Sequence, residues 1–318
     1  MQWGQIKSLF ILCFFILDIF LVYQFVNNRI INESYLPESA EEDNLKNNVL
    51  GLDKVPEGVI KESELHTVRK EFTKDDIAEL DKFENQKSVV INSNTIISVF
   101  DSPVEINPDS NLTILDNNVI SWESYQKWGI DQNTNSILLF QKMEYPIFFN
   151  QSGLLLVKLN EDGKMIGYIQ TMLEKKDDPT DTEPLIKAYE AVSTLYHNGK
   201  IQPDDEIRTN MVLGYHNILP LPDGAQVLIP TWEVQLKDGD VFYVNAVERH
   251  YQSRDETVFV EETLSNLRLN LEDAASVELE LVNFEEGSVK GLTKSDLITG
   301  MLKKFDATIG VEKNDVEL

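Results

Sequence analysis

The sequence predicts an α+β protein: a single N-terminal transmembrane helix followed by an extracytoplasmic body of two antiparallel-sheet units, each with one helix. Three observations carry this reading. Residues Leu9 to Val26, LFILCFFILDIFLVYQFV, form an 18-residue apolar run broken by one acid, Asp18. From Ser88 onward, short apolar runs with a period near two are punctuated by Asn, Asp and Gly, as strands and turns are. One helical pattern followed by hairpins occurs twice, on either side of the polar, proline-bounded stretch Asp177 to Pro184.

The apolar run at ~1.5 Å per residue reaches about 27 Å, close to the ~30 Å of a hydrocarbon core. Lys7 precedes it, as a basic residue precedes a secretory signal. A signal's apolar region is only about 7–15 residues long, however, and Gln24-Phe25-Val26-Asn27-Asn28-Arg29 offers no small-x-small cleavage site. The expectation is an uncleaved anchor: residues 1–8 a short cytoplasmic N-terminus, 9–26 the span, and the remainder outside. Lys7 and the terminal amine face Arg29 across the run, so the short flank and the bulky polar body set the orientation. Asp18 sits near the middle of the run, where an acid costs on the order of 2.5–3.5 kcal/mol. Two readings of it stand: a protonated carboxyl tolerated in a very apolar helix, or the mark of a face that meets other transmembrane helices. Cys13, the one cysteine, lies inside the run, so no disulfide can form within the chain.

Beyond the anchor, residues 27–64 are rich in Asn, Glu, Ser and isolated Pro and Gly, and read as a juxtamembrane tether with room for one short strand. A first α+β unit spans 65–176. Thr73 is placed as N-cap of a helix with Asp75 and Asp76 in its first turn and Ile77, Leu80 and Phe83 on one face. Val89 to Ile91 and Ile96 to Phe100 are strand-like, and Trp122 to Trp128 suggests a short helix before Gly129. A meander follows through Ile137–Met143, Pro146–Phe149, Gly153–Leu159 and Met165–Leu173, with Asn160 to Lys164 as a hairpin loop. That loop is no calcium site: with Asp162-Gly163 at positions five and six, Lys158 and Ile169 fall where acidic ligands are required. After the joint at 177–184, a second unit over 185–248 begins with the helical pattern Leu185 to Tyr196, stopped by Asn198-Gly199. Strands at Met211–His216, Val227–Gln235 and Val241–Val247 complete it, the last two joined through Asp238-Gly239.

The net charge of −26 argues against nucleic acid and anionic lipid headgroups as partners. Reactive constellations are also missing from the sequence. His66, His197, His216 and His250 are scattered singly, and there is no HExxH, GxSxG, SxxK set or phosphate-cradling Gly loop. Asp75-Asp76 is accounted for by a helix start and Asp177-Asp178 by a solvated linker. The expectation is therefore no enzyme, no metal and no cofactor. Trp122, Trp128 and Trp232 are read mainly as core residues, and alternatively as the lining of a groove for a partner strand or helix. Asn-x-Ser/Thr at Asn32, Asn111 and Asn150 is a weak glycosylation signal.

The opening MQWGQIK running directly into the apolar run with Asp18 inside it resembles the start of the YycI (WalI) regulatory proteins. The body agrees in order and spacing: PIFFNQSGLLLVKLNEDGKMIGYIQTMLE from Pro146, LIKAYEAVSTLY from Leu185, VLGYHNI from Val212 and IPTWEVQLKDGDVFYVNAVE from Ile229. The resemblance implies a single-pass protein of the cell membrane, N-terminus cytoplasmic, whose exported body is similar to part of YycH. It implies two partners, a YycH-like sister protein and a WalK-type sensor histidine kinase that controls cell-wall metabolism, with contacts between transmembrane helices carrying the signal. It supplies no catalytic residues. The chain departs from the pattern after Glu248, where an acidic extension, 249–318, contains a strand-like Val277–Phe284 and a helix-like Ser295–Phe305. The alternative function is an exported binding module for a wall polymer, lipid intermediate or peptide, with the three tryptophans in its groove. If 177–184 is a joint, its polar backbone is exposed. An acid-directed protease is then expected to cut there or in 27–64 before it cuts Pro146 to Leu173; early cleavage inside the meander, with the joint protected, would place the boundary elsewhere.

Overall fold

The structure, a computed structural model, describes residues 7, 10–23, 45–107, 112–176, 182–220, 225–272, 277–285 and 292–306. It is α+β, with antiparallel-rich sheets and few helices. The strands are β1 (Lys61–Glu62), β2 (Leu65–Arg69), β3 (Gln86–Ile91), β4 (Thr95–Val104), β5 (Tyr125–Asp131), β6 (Ser136–Gln141), β7 (Ile147–Phe148), β8 (Leu154–Leu159), β9 (Met165–Thr171), β10 (Leu173–Lys175), β11 (Glu183–Pro184), β12 (Val212–Pro220), β13 (Gln226–Gln235), β14 (Val241–Asn245), β15 (Tyr251–Ser253) and β16 (Leu279–Val282). The body's helices are α1 (Lys74–Leu80), α2 (Ala188–His197), α3 (Glu256–Glu272) and α4 (Lys294–Asp306).

The first sheet has the order β16-β3-β4-β9-β8-β6-β5 and is antiparallel throughout. Its central strands SILLFQ and LLLVKL are buried at every position. Such runs mean that both faces are covered. On one face Leu80 of α1 and the 112–120 segment pack against Ile96, Phe100 and Tyr168. On the other, Phe259, Val260 and Leu264 of α3 and Ile298, Leu302 and Phe305 of α4 pack against Ile97, Leu138, Leu156 and Ile169. Gly167 makes the second cover possible, because a Cβ there would lie 2.4 Å from Ser98 O and 2.7 Å from the Phe305 ring. The second sheet has the order β10-β2-β13-β12-β7, with β14 and β15 continuing from β13. One of its faces buries Trp232, Val234, Phe242 and Val244 against Ala191, Val192 and Leu195 of α2, and Leu45 and Val49 join that core.

Local sequence accounts for the helix ends. Thr73 caps α1 reciprocally: Asp76 N–H donates to Thr73 Oγ1 at 3.3 Å and Thr73 N–H to Asp76 Oδ2 at 2.7 Å. The adjacent acids are thus helix-start residues. Gly199, with φ 68°, ends α2 as the Asn-Gly pair predicts. The loop Asn160–Lys164 closes the β8–β9 hairpin, with Gly163 at φ 75°.

Two expectations are corrected. Trp122 to Trp128 is not a helix: a single 3₁₀ turn at Trp122–Ser124 runs into β5, which pairs with fully buried β6 and bulges between Lys127 and Gly129. Seven residues are too few to hold a helix by themselves, and the buried neighbour strand decides. The meander is interrupted, since β6 pairs directly with β8 while β7 crosses to the second sheet and pairs parallel with β12. Gly214 permits that crossing, because a Cβ there would lie 2.2 Å from the Phe148 ring and 2.7 Å from Pro146 O. The extension contains, besides the expected strand and helix, the 17-residue α3, whose Thr-Val-Phe-Val start at 257–260 reads locally as strand. Among the described residues no helix is long and apolar enough to cross a membrane. The N-terminal helical stretch is described over 10–23, about 21 Å of rise; Leu9 and residues 24–26 of the expected span lie outside the described residues, as do 177–181 of the joint. Asn150 is 4% exposed and donates to Gln226 Oε1 at 2.6 Å, so it offers no glycan acceptor; Asn32 and Asn111 lie outside the described residues.

Gly214→Ala is expected to lower stability by about 1–3 kcal/mol through overpacking at the β7–β12 contact. Gly300→Ala, where a Cβ in α4 meets nothing within 4 Å, is expected to raise it by up to ~1 kcal/mol. Urea unfolding of the two variants beside the parent measures both signs.

Candidate functional site

Strand alternation sorts the second sheet's residues. On β13 and β14, Trp232, Val234, Phe242 and Val244 turn to the α2 core, which sends Thr231, Glu233, Tyr243 and Asn245 to the opposite face. Thr231 stands opposite Asn245, and Glu233 opposite Tyr243. His216 on β12 and Gln252 on β15 extend this row, with Gln252 Nε2 3.1 and 3.2 Å from the two His216 ring nitrogens. The face is polar and yet buried: His216, Thr231, Glu233 and Asn245 are each at most 7% exposed. A cavity of about 230 Å³ opens there, bounded by His216, Tyr243, Asn245, Glu248, Gln252 and Arg254 among others.

Burial sets the electrostatics of this face. It pushes the Glu233 carboxyl up to about 7, against a hydrogen bond from the Gln235 side chain that works the other way. It pushes His216 down to about 4, with the Arg254 charge adding to the effect. The Tyr243 phenol is raised by burial and by the charges of Glu233 and Glu256. Tyr243 OH and Asn245 Nδ2 are buried with no hydrogen-bond partner.

Beside the polar row lies an aromatic junction centred on Trp128. Its ring is 5.8 Å from Phe140, 5.6 Å from Phe148, 6.0 Å from Phe149 and 6.2 Å from Tyr243, while Phe149 is 5.2 Å from Phe259 of α3. Trp128 Nε1–H donates to Glu256 Oε1 at 3.2 Å, at the first residue of α3. Both sheets and the extension therefore meet at one cluster. Phe149 adopts φ 47°, a left-handed conformation that a bulky residue holds at a cost of about 1–2 kcal/mol.

The three tryptophans singled out from sequence are not brought together. Trp122 is half-buried, donates to the Asp116 carboxylate and packs on the α1 side of the first sheet. Trp128 occupies the junction, and Trp232 is buried beneath α2 with its Nε1–H on Ile186 O at 3.0 Å. Asp18 lies on the 10–23 helix, whose side chains are exposed throughout. Sequence reasoning passed over His216, Glu233, Tyr243, Asn245 and Arg254 as a group. The available signal was the polar member of each alternating pair on β13 and β14. Among the described residues no three His, Cys, Asp or Glu side chains come together to hold a metal ion.

A family model described as YycI protein matches residues 32–247, about two-thirds of the chain. The chain belongs to the YycI family. No curated protein matches it. YycI membership implies a regulator of the WalK/WalR two-component system, within a family of regulatory accessory proteins. The YycI match takes in β1 to β14 and ends two residues beyond β14, before α3, β16 and α4.

The two shifted groups of the polar row act oppositely on stability. Glu233 holds its proton in the folded protein, so its contribution is complete below pH about 4.5 and lost as pH rises to about 7. His216 stays neutral, so its contribution is complete above about 6.5 and lost as pH falls to about 4. Glu233→Gln removes the first effect alone. The variant is expected to exceed the parent by up to about 3 kcal/mol near pH 8, with the gap closing near pH 4.5. Urea denaturation at a series of pH values measures this, and a pH-independent gap contradicts it.

Proposed function

We propose that the chain is a non-enzymatic, membrane-anchored regulator that, with a YycH-like sister protein, modulates a WalK-type sensor histidine kinase controlling cell-wall metabolism. The observation that carries this is the YycI match over residues 32–247 in a chain whose residues 10–23 form a helix of exposed apolar side chains. Over 10–23, Phe10, Ile11, Phe15, Ile16, Phe20 and Val22 are each more than half exposed, on every side of the helix. Burying one such side chain is worth about 1.5–3 kcal/mol, and a helix apolar all round is stable only inside protein or lipid. On this reading residues 9–26 span the membrane once, with the N-terminus cytoplasmic and the body outside. Asp18 is the one charged residue in that segment, and a polar partner on a neighbouring transmembrane helix offsets its cost. The sheets supply extracytoplasmic contacts to the same partners.

Crosslinking in native membranes followed by mass spectrometry is expected to recover the kinase and the sister protein, and to place the body outside. Asp18→Leu is expected to weaken co-purification of both from detergent by roughly tenfold, equivalent to ~1.4 kcal/mol, with the thermal unfolding of the body unchanged. Unchanged co-purification and unchanged kinase output would remove Asp18 from the contact.

A further inference from the structure

We propose that the cavity between β12, β14 and β15 is a binding site for a small zwitterionic amino acid, free or at the end of a short peptide, with its carboxylate held by Asn245 and Arg254 and its ammonium facing Glu248. The inference goes beyond the regulatory reading and does not depend on it.

Asn245 carries the argument. Its side chain lines the cavity and is 7% exposed. The orientation of the carboxamide is fixed, because Oδ1 accepts from Val247 N–H at 2.8 Å and Glu248 N–H at 3.0 Å. The opposite end is therefore the donor, and Nδ2 has no acceptor. A buried donor locked in place without a partner is rare in folded proteins and is satisfied when a ligand brings an acceptor. Tyr243, whose hydroxyl is also buried and without a partner, lines the same cavity.

The rest of the lining selects the acceptor. Arg254 borders the cavity and makes no salt bridge among the described residues. In a chain of net charge −26, a guanidinium bordering the same cavity as an unfilled amide donor is suited to a carboxylate, which it binds through two parallel hydrogen bonds. His216 offers a neutral ring hydrogen-bonded to Gln252 and does not compete as a cation. Among the described residues of the lining Glu248 supplies the one carboxylate, 3.9 Å from His250 Nε2, so a ligand with an ammonium group fits better than a plain anion. At about 230 Å³ the space exceeds the ~30 Å³ of one water and lies below the ~300 Å³ at which drug-sized pockets begin, which limits the occupant to one or two small residues.

The test uses the full chain in detergent and isothermal titration with four probes: alanine, alanyl-alanine, alaninamide and N-acetylalanine. Saturable binding of alanine or alanyl-alanine is expected, and the preferred one identifies the free or peptide source. Alaninamide, which lacks the carboxylate, and N-acetylalanine, which lacks the ammonium, are each expected to bind at least about tenfold more weakly. Asn245→Asp keeps the Oδ1 acceptor for the two N–H groups and replaces the donor with an oxygen; Arg254→Gln alters an exposed side chain. Both are expected to lose about tenfold or more in affinity, and Arg254→Gln, at an exposed position, to do so while unfolding at the parent temperature. No saturable binding of any probe overturns the proposal. So does equal binding of alaninamide, or parent affinity in both variants. None of these readouts involves the kinase, so their failure is distinct from failure of the regulatory reading.

Discussion

The packing of Trp128 against Phe148, Phe149, Tyr243 and Phe140 is the contact on which the two-sheet body depends. Aromatic pairs at these centroid distances each contribute about 0.5–1.5 kcal/mol beyond their burial. Several of them converge here, enough to offset the left-handed backbone at Phe149. The bulge in β5 follows from the same requirement, since it falls at Trp128 itself. So does the excursion of β7, which carries Phe148 to the second sheet and leaves β6 to pair with β8. Through Glu256 the junction also fixes the start of α3.

The polar row of the second sheet shows a different balance. One face of β13 and β14 has the composition of a core and the other that of a surface, yet both are buried. Burial there raises the Glu233 carboxyl to about 7, far above the usual carboxylate range, and lowers His216 to about 4, so that its ring stays neutral at acidic pH values where a free imidazole is charged. The opposite signs of the two groups flatten the pH response that either would produce alone.

Much of the fold was legible in the sequence because the signals were local. Thr73 with Asp76, Asn198-Gly199 and Asn160 to Lys164 declare a cap, a helix end and a hairpin through interactions within five residues. What was illegible depended on distant partners. Trp122 to Trp128 reads as helix only until β6 is beside it, and the crossing of β7 depends on Gly214, far along the chain. α3 was missed because Thr257 to Val260 opens with β-branched residues, although Phe259, Val260, Thr263, Leu264 and Leu267 do make a helical stripe. The tryptophans drew attention by size, but each was taken up by a separate core. The cavity was hidden for the opposite reason: Thr231, Glu233, Tyr243 and Asn245 look like the ordinary solvated face of a strand until the structure shows them buried.

The edge strand β16 has a bearing on how the chain acquires its structure. It pairs with β3, Leu281 opposite Val89, joining segments almost the whole body apart in sequence. Contacts of that separation form late, because the closure entropy of the intervening chain has to be overcome first. The first sheet therefore stays open along β3, and bare on the side that α4 covers, until β16 and α4 have been made. Stepwise release of the chain therefore leaves an apolar sheet face uncovered between the completion of β9 and the arrival of α3, β16 and α4.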